Sequence, residues 1–141
     1  MMSTFWDQTA EPDRITELTE RESWDFLRER NFGRLAYRMA DEVNIVPLNA
    51  AVDGSRLLFR TAEGSKLLGV HMSEQVAFEA DEVSETEAVS VVAKGPTRVL
   101  DADEAVGAEG VLPRPWAGGW KGTFVAIEVT EITGRRFQLR R

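Results

Sequence analysis

The sequence predicts a mainly β, α+β domain: an antiparallel barrel of about six strands with short helices appended to it. Three observations lead there. Segments that alternate apolar and polar residues recur along the chain, tight turn signals join most of them, and neither βαβ repetition nor a Walker-type or dinucleotide-type glycine loop occurs. At 141 residues the chain is long enough for one domain with a real core.

Residues 1–17 are polar and acidic with scattered apolar residues (Phe5, Trp6, Ile15), which suggests an arm ordered only by packing on something else, ahead of a domain over 18–141. Thr19 followed by Glu22 forms a capping box, and Trp24, Phe26 and Leu27 continue it as a short amphipathic helix to about Arg30. Asn31-Phe32-Gly33 stops that helix. Leu35, Tyr37 and Met39 then alternate, Asp41-Glu42 turns the chain, and Val43, Ile45 and Pro47 alternate again, so this is a hairpin. Val52-Asp53-Gly54 makes the next turn, Leu57 to Thr61 a third strand, and Gly64 to about Met72 a helix.

Gln75 to Ala80 reads as a fourth strand and the acidic run Asp81 to Glu87 as a solvated loop. Glu87 to Leu100 is the longest strand candidate, with Val89, Val91 and Ala93 on one face and Ser90, Val92 and Lys94 on the other. Gly95-Pro96 interrupts it, as a bend or bulge of a curving barrel strand would. Asp101 with Glu104 is a second capping box, opening a brief helix. Val111 to Lys121, with two prolines, two glycines, Trp116 and Trp120, reads as an irregular loop. Thr123 to Ile132 returns as a final alternating strand, and the tail from Gly134 holds Arg135, Arg136, Arg140 and Arg141.

Composition excludes several classes of function. The net charge of −7 argues against a general attraction to nucleic acid or anionic membranes. There is no cysteine, hence no disulfide, thiolate metal site or cysteine nucleophile, and the single histidine, His71, excludes a multi-histidine metal centre. No apolar run approaches a bilayer crossing, and the first residues lack the basic start and apolar core of a secretory signal, so a cytoplasmic place is expected.

The chemically richest stretch is Phe59 to Leu68. A strand hands over to a helix at Gly64-Ser65, and the first N–H groups of a helix carry unpaired donors and the positive end of the dipole. Arg60, Thr61, Ser65 and Lys66 add a guanidinium, two hydroxyls and an ammonium at that point. This is the composition of a phosphate cradle. The same residues are also what ordinary capping and an exposed strand would use, and local chemistry alone leaves both readings open.

Taken in order, Gly33-Arg-Leu-Ala36, Pro47-Leu-Asn49, Phe59-Arg-Thr-Ala-Glu-Gly-Ser-Lys-Leu67, Val76-Ala-Phe-Glu79, Ser90-Val-Val-Ala-Lys-Gly95 and Ile132-Thr-Gly-Arg-Arg136 resemble the pyridoxamine 5′-phosphate oxidase-like flavoproteins. The resemblance runs from Thr19 to Arg136. It implies an FMN-binding split β-barrel and a homodimer with two FMN molecules at the interface, each held by residues of both chains. Carried over by position, Arg60, Thr61, Ser65 and Lys66 match the phosphate-binding segment, and Pro47, Leu48 and Asn49 the strand end against the flavin ring. Ser90 matches a polar strand position that reaches the flavin, and Trp120 stands in the loop that brings an aromatic group toward the ring.

Departures from the family pattern bear on the reaction. The arginine-leucine-histidine element with which true pyridoxine-phosphate oxidases grip substrate has no counterpart in Arg135-Arg-Phe-Gln-Leu-Arg140. Asn49 stands where those enzymes tend to have lysine, and Ala50 where close relatives of the shorter subgroup often carry an aromatic. The vitamin B6 reaction is therefore disfavoured. The expectation is an FMN-dependent oxidoreductase acting on a small or aromatic molecule with a reduced nicotinamide or oxygen as co-reactant, the ring chemistry being the cofactor's own. The alternatives are a reductase using the deazaflavin F420, a non-catalytic flavin- or haem-binding carrier or sensor, and a dimeric structural module.

Overall fold

A computed structural model describes residues 10–62, 75–111 and 122–139. Among them, in chain order, are β1 (Ala10–Glu17), α1 (Glu20–Glu29), β2 (Phe32–Met39), β3 (Glu42–Asn49), β4 (Ala51–Asp53), β5 (Arg56–Ala62), β6 (Gln75–Val83), β7 (Glu87–Val99), α2 (Ala102–Ala108), β8 (Gly122–Glu128) and β9 (Glu131–Leu139). The architecture is the predicted antiparallel one, with nine strands among the described residues where about six were expected. The helix expected over Gly64 to Met72 and the tryptophans of the 112–121 stretch lie outside the described residues.

Every strand pairing among the described residues is antiparallel. The first sheet runs β3-β2-β6-β7-β9-β1 and the second β7-β8-β5-β4, so β7 belongs to both. Its residues Glu87 to Lys94 pair with β9, and Thr97 to Val99 pair with β8. Gly95-Pro96 does not break the strand; it marks the point where β7 changes partner. Only glycine fits at 95. A Cβ there would overlap the Glu128 carbonyl, because the chain leaving β8 crosses directly over it.

The two sheets share one core. Leu35, Phe78 and Val91 from the first sheet meet Leu57, Phe59, Val125 and Ile127 from the second, all buried. Helix α1 covers one side of this core with Leu27, Trp24 and Phe26. Its start is the predicted capping box, the Glu22 amide donating to Thr19 Oγ1 at 3.1 Å and the Thr19 amide to Glu22 Oε1 at 2.8 Å. Buried Ser23 donates to the Thr19 carbonyl and packs on Gly134, where an added Cβ would lie 2.6 Å from Ser23 Oγ. Helix α2, opened by the predicted Asp101–Glu104 box, closes a second, smaller cluster of Leu58, Leu100, Phe124 and Ala126.

Three further differences have physical causes. Residues 10–17 find their packing partner inside the chain and form β1 on β9, Glu17 opposite Arg135. The hairpin between β2 and β3 turns at Ala40-Asp41, one residue earlier than expected. The segment read as one final strand is two, β8 and β9, which follow one another along β7 in the same direction; the pairing slips by one residue between Ile127 opposite Thr97 and Glu131 opposite Lys94, and the Thr130 amide donates to the Lys94 carbonyl at 2.8 Å. Phe124 to Ile127 are all buried, since α2 covers the face of β8 that alternation left to solvent.

Candidate flavin site

The sheets part between β3 and β4. Ala50 alone joins the edge strand of the first sheet to the edge strand of the second; it is fully buried and its amide donates to the Asn31 carbonyl at 2.7 Å. The register Ala51 opposite Leu58 carries β5 past the start of β4, so Arg60 and Thr61 run toward the end of β3, and the two strands approach one another. The fold thus carries the end of β5, with Arg60 and Thr61, toward the edge strand β3, with Pro47, Leu48 and Asn49 at its end. Nothing in the spacing of these residues foretold that.

The individual side chains divide by face. Pro47 and Asn49 are exposed on the outer face of the first sheet, and Leu48 turns inward against the main core. Thr61 is buried on the core side of β5. Arg60 points to the opposite face, its guanidinium carbon 5.1 Å from the centre of the Phe124 ring, opposite which it stands in β8. Ser65, Lys66 and Trp120 lie outside the described residues.

This donor set suits a flavin. Strand β3 is a sheet edge, so half of its backbone N–H and C=O groups face outward and can meet the polar rim of an isoalloxazine ring. Arg60 brings a cation to the strand end that precedes the Gly64-Ser65-Lys66 segment, while the Thr61 side chain is buried on the other face of β5.

Ser90 is placed elsewhere on the outer face. It stands opposite Asp81 on β6, three strands from β3, about 14 Å at ordinary strand spacing. Its hydroxyl lies 3.5 Å from Glu79 Oε2. Sequence reasoning did not single out the group that surrounds it. Arg34 on β2 donates through one nitrogen to Glu79 Oε1 at 2.7 Å and to Asp81 Oδ2 at 3.2 Å. The Glu79 carboxyl is pushed up to about 7, chiefly by burial and further by the Asp81 carboxylate, with Arg34 opposing. The available signal was two carboxylates two residues apart, hence on one face of a strand, paired with a strand carrying an arginine.

Tyr37 is packed against the main core. Among the described residues no group of three or more histidine, aspartate or glutamate side chains could hold a metal ion, and no helix is long and apolar enough to cross a membrane.

Two antiparallel sheets that share β7 and part between β3 and β4 make a split β-barrel. The family model described as pyridoxamine 5′-phosphate oxidase matches residues 19–136, and the chain belongs to that pyridoxamine 5′-phosphate oxidase-like family. Among solved structures, the FAD binding protein from Mycobacterium smegmatis is 34% identical, with a TM-score of 0.79 over 89% of this chain and 100% of the other. A conserved protein of unknown function from Corynebacterium diphtheriae is 38% identical, with a TM-score of 0.78 over 89% of this chain and 99% of the other. An uncharacterised protein of Mycobacterium tuberculosis is 42% identical over 88 residues, 62% of this chain and 80% of its own length.

Proposed function

We propose that the protein binds a flavin at the seam between β3 and β5 and works as a flavin-dependent oxidoreductase on a small or aromatic molecule. The observation that carries this reading is the approach of β5, which ends with Arg60 and Thr61, to the edge strand β3, which ends with Pro47, Leu48 and Asn49, although the two strands are not sheet partners. In this reading Arg60, Thr61, Ser65 and Lys66 hold the phosphate, and the backbone of Pro47, Leu48 and Asn49 orients the ring. The bound flavin supplies the acceptance and donation of a hydride or two electrons.

The sequence points to FMN, and the M. smegmatis relative is an FAD binding protein, so both flavins enter the proposal. They share the ring and the ribityl phosphate, and the cradle residues address only that shared part. A homodimer fits the same reading: with Ser90 about 14 Å from the end of β3, one chain's β3 and the other chain's Ser90 can line a single ring. The absence of histidine after Arg135 keeps pyridoxine phosphate out of the proposed substrates.

The test is a visible absorption spectrum of the purified protein, titrated in turn with FMN, FAD and F420, followed by anaerobic NADH or NADPH. The expected result is saturable binding of FMN or FAD and bleaching of the flavin bands by a nicotinamide. Binding without bleaching by either donor would leave a carrier or sensor. Binding of F420 alone, or of nothing, would overturn the flavin reading.

A further inference from the structure

The outer face of the first sheet is unusual for a surface. Val43 and Ile45 are 81% and 66% exposed, and Phe32 and Val83 are 58% and 55% exposed on the same sheet. Six strands at ordinary spacing, each about eight residues long, span roughly 29 by 26 Å, close to the ~800 Å² per partner that a stable dimer buries. Both signs of charge are present, Arg34, Lys94 and Arg135 beside Glu79, Asp81 and Glu131, as a face that meets its own copy about a two-fold axis requires. A second copy of this chain is therefore the occupant the face suits.

One charge stands in the way of covering it. Two carboxylates, Glu79 and Asp81, share a single guanidinium nitrogen of Arg34, so the cluster carries one negative charge in excess. The other groups facing Glu79 do not cancel it. From β3 comes Pro47, opposite Arg34; from β7 come Val92 and the neutral hydroxyl of Ser90; Lys94, further along β7, is engaged with Glu131 at 3.7 Å; and Arg135 on β9, one strand beyond Ser90, has the carboxylate residue Glu17 of β1 opposite it. Covering an unbalanced carboxylate removes the water that solvates it, and in a two-fold assembly it does so twice.

We propose that the Glu79 carboxyl takes up a proton when the outer face of the first sheet is covered by a second copy of the chain, so that dimerisation is coupled to pH through this one side chain. The proton goes to a Glu79 carboxylate oxygen, one per protomer, and leaves Arg34 and Asp81 as a balanced ion pair beside a neutral acid. Burial already holds Glu79 near neutrality in the single chain, so covering it moves it further up. The sign follows. Below about pH 7 the side chain is protonated in both states and association does not depend on pH; above it the dimer must bind two protons that the monomers lack, and association weakens as pH rises.

This inference rests on the homodimer reading, and the experiment separates the two. Sedimentation velocity on the full chain, across a concentration series at about pH 6 and about pH 8.5, gives the dimer dissociation constant of the wild type and of Glu79→Gln, which keeps the size and removes the charge. The expected result is a wild-type constant at least about tenfold weaker at the higher pH, and a Glu79→Gln constant that is tight and unchanged. A wild-type dimer of constant affinity, or a variant with the same pH slope as the wild type, overturns the proton linkage and leaves the homodimer standing. A chain monomeric at every pH, with the variant monomeric too, overturns both. Dilution calorimetry in two buffers of different ionisation enthalpy provides a second reading: proton release on dissociation supports the linkage, and its absence defeats it.

Discussion

Lys66 is where a single side chain bears most directly on the proposed site. Its ammonium gains a specific partner if a flavin phosphate binds just beyond β5. Lys66→Ala is expected to weaken flavin binding by about 1.5–3 kcal/mol, roughly 10- to 150-fold, the range of a charge-assisted hydrogen bond. Fluorescence titration checks it, and unchanged affinity would remove Lys66 from the cradle. Ala40 offers a test of backbone rather than chemistry. It turns the β2–β3 hairpin at φ 54°, a left-handed conformation that a Cβ disfavours. Ala40→Gly is expected to stabilise the protein by about 0.5–1 kcal/mol in a urea titration, the relief of strain exceeding the added freedom of the unfolded chain. At this scale Arg60 and Thr61 were legible because charge and hydroxyl cluster at a strand end. Glu79 was not, since its environment depends on Arg34, 45 residues away along the chain.

Among the elements, the helices announced themselves and some strands did not. Thr19–Glu22 and Asp101–Glu104 are local patterns whose hydrogen bonds form between residues three apart, so a reader of the sequence sees both partners at once. The division between β8 and β9 is invisible in the same way of reading. The break at Val129-Thr130 holds no glycine, proline or asparagine; it is a one-residue slip in the pairing with β7, marked by the hydrogen bond of the Thr130 amide to the Lys94 carbonyl. Helix α2 also carries a pH-dependent element. Arg98 grips Glu104 with two nitrogens at 2.7 and 2.8 Å and the Asp101 amide adds a third donor, which together hold the Glu104 carboxyl down to about 2. A lowered carboxylate stabilises the folded state above its unfolded value and loses that contribution as pH falls from about 4.5 toward 2. Glu104→Gln should therefore lower the urea midpoint near neutrality and flatten its decline on acidification over that range.

For the molecule as a whole, alternation and turn chemistry indicated an antiparallel barrel, but the seam that makes it a candidate flavin protein comes from pairings between distant segments. Which strand is an edge, and which strand end reaches it, follows from register and from the crossing of the chain over Gly95. That crossing is tight enough to test. Gly95→Ala is expected to destabilise the protein by about 1–3 kcal/mol, because the methyl group meets backbone of the chain beyond β8 rather than a side chain that could turn aside. A urea midpoint within error of the wild type would mean that the crossing can open at little expense.

Strand β7 has a consequence for how the molecule moves. It lies between β6 and β9 over its first part and pairs with β8 over its last, so neither sheet can detach without it. Independent breathing of the two halves is thereby suppressed. The amides of Val91 and Val92 should exchange with deuterated solvent only through global unfolding, at the same free energy as amides at the centre of β8, and the barrel should melt as one cooperative unit. Motion needed for ligand entry is then left to the opposite side, where Ala50 alone bridges β3 and β4 and no ladder of hydrogen bonds joins the two edges.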